Sequence, residues 1–164
     1  MRESPGHRRR SLTPTAYLLM MTFRAWLIEV PVAALNAFVL MDLVYAPRFG
    51  TLVAHQIGMF TRIAIILLFA YFIAYFAGEY TARSLLLAGV FWVTLWLLFE
   101  WGGSLLIGRS VHEILIGWHV ERGYMWPYVL LAYVLAPLLV GSSGHGGRWS
   151  PRLRSWPPSR GGRG

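Results

Sequence analysis

Apolar residues gather into four stretches, each close to the roughly 20 residues that cross a hydrocarbon core of about 30 Å. The second (Ile57 to Ala77) and the fourth (Met125 to Val140) are the clearest. The third runs from Leu85 to Phe99, meets Glu100 and the pair Gly102 and Gly103, and resumes over Leu105 to Ile107, which predicts a span over residues 85–104. The first is less regular. Thr13 before Pro14 is a helix-start signal, and apolar residues then reach Tyr45, interrupted by Arg24, Glu29, Pro31, Asn36 and Asp42. That run makes a helix of roughly 48 Å, too long for the bilayer core alone. The pattern therefore predicts interfacial first turns, a kink near Pro31 and a membrane portion over residues 23–43.

The finer periodicity adds two faces and one further helix. Thr22, Ala25, Glu29, Ala33 and Asn36 recur at helical spacing, a small and polar stripe expected to face a bundle interior. Ala70, Ala74 and Gly78 form a small-residue row suited to close helix packing. Between the third and fourth spans, Ile107, Val111, Ile114, Leu115 and Trp118 share one face, which predicts a short helix lying on the membrane interface. The expected fold class is all-α: an integral membrane four-helix bundle over residues 14–141, flanked by disordered basic tails at 1–13 and 142–164.

Composition reinforces this reading. Hydrophobic residues make up 56% of the 164-residue chain and charged residues 13%, too few to cover a soluble globule. There is no cysteine, which excludes disulfides and thiolate chemistry, and every basic residue is arginine, which excludes lysine Schiff bases. The net charge of +8 belongs to the tails, +3 at the N-terminal end and +5 at the C-terminal end, because the six arginines between them meet six acids. Four crossings with both ends cytoplasmic put ten arginines inside and three outside, as the positive-inside rule requires. The localisation expected is the cell (inner) membrane. Val32-Ala33-Ala34 imitates a signal-peptide cleavage site, but Arg24 and Glu29 inside the apolar run argue against cleavage. The lipid bilayer is the expected partner, with the arginine-rich tails contacting anionic headgroups and a homo-oligomer or second membrane protein as a further partner. Nucleic acid is the weaker reading of the C-terminal Arg and Gly residues. Trp149, Leu153 and Trp156 are spaced for an interfacial helical turn.

Ionisable groups inside spans carry the candidate chemistry, since charge there is costly and needs a partner. Glu29 and Asn36 mark a polar stripe in the first span, with structural packing weighed ahead of a proton or substrate site. His55, Arg62, Glu100, Arg109, His112 and Glu113 are predicted to gather at the outer end, either as a pocket or as ordinary surface ion pairs, with Arg62 and Glu100 placed to pair. His112-Glu113 resembles the start of a zinc-protease motif, but position 116 is isoleucine and His119 lies roughly 10 Å along a helix. His55 with His112 or His119 is the remaining arrangement for a haem or metal, and spacing gives it no support over loop histidines. No metal site and no cofactor are expected. Catalytic residues are not identifiable: no nucleophile-elbow pattern surrounds Ser84, Ser104 or Ser110.

Asn36 with Val44-Tyr45-Ala46-Pro47, Gly50, His55-Gln56, Phe99-Glu100, Gly108-Arg109-Ser110, Glu113, Leu115, Arg122-Gly123, Trp126-Pro127 and Ala136-Pro137 resembles a group of small bacterial four-span integral membrane proteins of uncharacterised activity. The resemblance spans roughly residues 25–140 and implies a bacterial membrane location without a substrate. Three function classes remain. A structural or regulatory membrane component leads, ahead of a small oligomeric transporter or channel subunit using Glu29, and of a membrane-embedded enzyme with an outward pocket.

Overall fold

The computed structural model describes residues 13–143 and the pair Arg148–Trp149. Helix α1 (Pro14–Ala34) starts where Thr13 Oγ1 accepts the Ala16 N–H at 3.2 Å. It does not break at Pro31. A proline removes one helical N–H and crowds the preceding turn, and here the chain runs on into a wide π-helical segment, Leu35–Tyr45, where the Leu35 N–H reaches both the Pro31 and Val32 carbonyls. A four-residue helix α2 (Ala46–Phe49) completes a continuous rod of 36 residues, roughly 54 Å long. The predicted kink is thus replaced by a local widening.

Gly50 (φ +82°) turns the chain into α3 (Thr51–Ala77). Gly78 (φ +73°), which the small-residue row assigned to helix packing, instead ends that helix in a backbone conformation that disfavours a side chain. A reciprocal pair of bonds between Thr81 and Ser84 (2.8 and 3.2 Å) then starts α4 (Ala82–Leu106). This helix passes through Gly102 and Gly103 uninterrupted. Gly108 (φ +78°) leads into α5 (Val111–Leu115), followed by single 3-10 turns at Ile116–Trp118 and Val120–Arg122, so the expected interfacial helix is only five residues long. Helix α6 (Trp126–Ser142) closes the bundle. Arg148–Trp149 pairs in parallel with Glu79–Tyr80, a two-residue strand contact in an otherwise helical structure. Trp149 is therefore in extended backbone. The predicted turn of helix through Leu153 and Trp156, and the tail stretches at 1–12 and 150–164, lie outside the described residues.

Among the described residues three helices are long and apolar enough to cross a membrane: the Pro14–Phe49 rod, α3 and α4. The apolar α6 has 17 residues and packs between α3 and α4, with α1 touching both of them. Two ends follow from this order. One, the tail end, holds Pro14, the 78–81 turn and Ser142; the other, the loop end, holds Gly50 and residues 107–125.

The interior is narrow at one point. Gly89 lies so near α6 that a Cβ there would run into the Val134 carbonyl. Leu18, Ile66, Ala70, Ala88, Trp92, Val129, Tyr133 and Ala136 are fully buried. Large exposed residues such as Leu27, Ile28, Phe38, Leu43, Phe60, Leu68, Phe72, Phe76 and Leu98 cover the outside with oil. In lipid such an exterior gains nothing by association, so close approach and interhelical polar bonds must hold the helices together.

Candidate functional site

The polar stripe of α1 and its continuation provides the interior polar groups. Thr22, Glu29, Ala33 and Asn36 are all buried and Ala25 is partly so. Thr22 returns its hydroxyl to the Leu18 carbonyl at 2.9 Å, a bond within its own helix. Asn36 reaches further: its Nδ2 donates to the Gly58 carbonyl of α3 at 2.9 Å, while its Oδ1 is buried with no partner among the described residues.

Glu29, 1% exposed, is the centre of a network drawn from α1, α3, α4 and α6. Trp92 and Trp96 of α4 stand one turn apart, and both indole N–H groups donate to Oε2, at 2.9 and 3.0 Å. Tyr133 of α6 donates its hydroxyl to Oε1. Arg62 of α3 in turn donates Nε and Nη2 to the Tyr133 oxygen, at 3.2 and 3.0 Å. The direction of this chain is fixed by chemistry. Arginine only donates, and two guanidinium bonds occupy the tyrosine lone pairs, so the hydroxyl hydrogen must go to the glutamate.

Arg62 is thus linked to Glu29 through a hydroxyl, and it makes no direct ion pair with a carboxylate among the described residues. Its guanidinium carbon lies 4.1 Å from the Trp96 ring centroid, with Trp126 at 5.4 Å and Tyr133 at 5.8 Å. Three aromatic rings therefore take the place of water around the charge.

The predicted outer cluster divides into two groups. Arg62 is buried, and Glu100, partly buried on α4, lies in the fields of Arg62 and Arg109 beside the Trp126 indole. Arg109, His112 and Glu113 are exposed. Glu113 is engaged locally: it accepts the Ser110 N–H at 2.7 Å and the Ser110 hydroxyl at 3.0 Å, and these bonds hold its carboxyl below the usual range. Arg62 and Glu100 therefore come near one another without an ion pair among the described residues, and Arg109, His112 and Glu113 stand exposed.

His55 is partly buried and is occupied elsewhere. Its Nε2 accepts the Met125 N–H at 3.3 Å and its ring meets Tyr124 edge-on, which fastens α3 to the start of α6. Gln56 does the same work by donating to the Gly123 carbonyl at 3.2 Å. His119 pairs with Glu121 at 2.6 Å. Among the described residues no three His, Asp or Glu side chains converge as a metal site would require.

No family model, curated protein or solved structure matches the chain. The site has to be read from its own chemistry.

Three of its members escaped the sequence reading, Trp92, Trp96 and Tyr133, and Trp126 entered it without a role in the site. A signal was present for two of them. Tryptophans four apart in an apolar helix put two N–H donors on one face, and hydrocarbon offers those donors nothing. The acidic partner they required was already marked by position in Glu29. Tyr133 carried no comparable signal, because a tyrosine between Ala132 and Val134 reads equally well as part of a packed core.

A separate groove of about 540 Å³ lies along α4 and the 116–118 turn, lined by Thr94, Leu97, Leu98, Trp101, Gly102 and Trp118. It is almost wholly apolar and includes no member of the polar network.

Proposed function

We propose that this chain is a four-span bundle of a bacterial inner membrane, with both ends cytoplasmic, that serves as a structural or regulatory membrane component rather than an enzyme. The observation that carries the structural part is the single network joining Glu29, Arg62, Trp92, Trp96 and Tyr133, one contribution or more from each long helix. Such a hub fixes rotation and depth of every helix at once, because any slip leaves a charge or donor unpaired in hydrocarbon. Both indoles and the Tyr133 hydroxyl already bond the Glu29 carboxylate, as a scaffold demands.

The four-span reading is supported by the length of α6. Seventeen apolar residues rise roughly 26 Å, at the short end of what spans a bilayer. The arrangement of arginines favours cytoplasmic ends, and the resemblance to small bacterial four-span proteins agrees with an inner-membrane location. Anionic headgroups at the tail end are the partners that the arginine-rich flanks fit.

Stability measurements in bicelles test the structural part. Glu29→Gln and Tyr133→Phe should each lower unfolding free energy, and the double variant should lose less than the sum, because both break one chain of bonds. Reconstituted protein should show no proton or solute flux that Glu29→Gln removes. Variants that keep full stability while abolishing a measured flux would replace the scaffold reading with transport, the use to which intramembrane acids are most often put.

A further inference from the structure

The groove of about 540 Å³ beside α4 takes no part in the polar network, and its size falls in the range of roughly 300–1,000 Å³ typical of ligand clefts. Thr94, Leu98 and Gly102, spaced four apart, line it from one face of α4 together with Leu97 and Trp101, and Trp118 lines it from the turn after α5. Gly102 lies inside the helix, where glycine is a poorer helix former than alanine, yet a Cβ built there would meet nothing within 4 Å. No neighbour among the described residues requires a glycine at that position. An occupant lying against the helix does.

Depth and charge indicate its chemistry. Gly102 and Thr94 stand four and twelve residues before the end of α4, roughly 6 and 18 Å from the loop end. In the bilayer that interval lies among acyl chains, just beneath the headgroups. At the loop end the Arg109 N–H donates to the Ser104 carbonyl at 3.0 Å, which folds Arg109 back beside the end of α4, two residues beyond Gly102. The Arg109 side chain is exposed and makes no ion pair among the described residues. Glu113 lies in its field, but Glu113 Oε2 is taken by Ser110. A planar guanidinium so placed is suited to a phosphate. A second copy of the chain fits this surface poorly, because a two-fold contact sets a patch against itself and a concave patch set against itself encloses a void.

We propose that the groove holds one acyl chain of a glycerophospholipid from the loop-end leaflet, with the lipid phosphate on Arg109. A lipid chain gains nothing by leaving its neighbours for a flat helix surface, since both are equally apolar. Retention comes instead from contact on several sides within the groove and from charge-assisted bonds at the phosphate. Trp101 and Trp118 stand at the same end, where indoles suit the zone between chain and headgroup.

The proposal rests on the membrane placement above, and the test separates the two. Full-length protein is placed in phosphatidylcholine nanodiscs that include a phosphatidylcholine with a photoactivatable diazirine midway along one acyl chain. A chain that does not enter the disc overturns the membrane placement. In a chain that does enter, peptide mapping compares two positions matched in exposure and depth. Leu98 is 67% exposed and roughly 12 Å from the loop end of α4; Phe60 is 64% exposed and roughly 14 Å from the start of α3. A chain held in the groove should label Leu98 about tenfold more than Phe60. Equal labelling is the result for freely exchanging lipid and overturns the site, and weaker labelling at Leu98 shows it covered by protein and overturns the occupant. Gly102→Leu, which fills the groove, should remove the excess at Leu98 and leave Phe60 unchanged. Thr94→Phe serves if that variant does not fold, since the Thr94 hydroxyl bonds only the Val90 carbonyl of its own helix. Arg109→Gln should lower the excess about threefold or more. An excess that survives a filled groove in folded protein overturns the acyl-chain site, and one indifferent to Arg109→Gln overturns the phosphate contact.

Discussion

At the residue scale, what distinguishes Glu29 is the number of donors aimed at it. Replacing the carboxylate by an amide puts an NH₂ group against either the two indoles or the Tyr133 hydroxyl. Neither can accept: indoles only donate, and the hydroxyl lone pairs are taken by Arg62. Glu29→Gln should therefore cost about 2 kcal/mol of unfolding free energy in a denaturation titration in bicelles. Tyr133→Phe removes the group that joins two buried charges and should cost about 3 kcal/mol. A loss near zero in either variant would show that the network does not hold the bundle. Glycines give a second contrast. At Gly89 a new Cβ would meet backbone, the Val134 carbonyl, whereas at Gly58 it would meet the flexible side chain of Met41. Gly89→Ala is expected to destabilise by about 1–3 kcal/mol and Gly58→Ala by clearly less, measured in the same titration.

At the scale of elements, the connections follow from local chemistry that can be tested one at a time. Helix α5 is five residues long and begins with a reciprocal pair between Ser110 and Glu113. Because those bonds favour the ionised carboxyl, its folded-state pKa lies below its ordinary value of 4.5. The contribution of the pair to α5 is thus complete above the unfolded value and lost as pH falls through the folded one. The Ser110 amide proton should titrate with a midpoint below 4.5 in NMR spectra, and Glu113→Gln should abolish the transition. The wide segment after α1 shows the opposite relation of element to sequence. A proline in a long apolar run signals a kink, yet Pro31 sits in a helix that continues for 36 residues with Pro14–Phe49 as its limits. Packing provides the reason: Asn36, the only buried residue of the wide segment, is bonded to Gly58 of α3, so the chain must stay against its neighbour where a kink would carry it away.

For the whole molecule, charge and oil act at separate places. Arginines of the flanks set the expected orientation, and the interior spends its charge on joining helices. Reporter fusions after residues 50, 81, 119 and 145 should read outside, inside, outside, inside. Any other order would overturn the four-span arrangement with cytoplasmic ends, even if the hub survives. The exterior is largely apolar, with Arg24 and Asp42 exposed along the first rod, and the close approach at Gly89 is internal to the bundle, so neither feature demands a second copy for the fold to close.

The sequence by itself determined the helical class, the approximate limits of the apolar stretches and the residues whose charge would be costly in hydrocarbon, Glu29, Arg62 and Glu100 among them. These are properties of single positions and of helical spacing, which a one-dimensional pattern carries. Which groups meet was decided only in three dimensions. Arg62 and Glu100 looked like natural partners by depth, but Arg62 turns instead to Tyr133, 71 positions away, and Tyr133 to Glu29, 104 positions away. Depth in a bilayer fixes one coordinate of a side chain. Its partner is fixed by the rotation of each helix, and that rotation is set by where small residues such as Gly89 allow two backbones to touch.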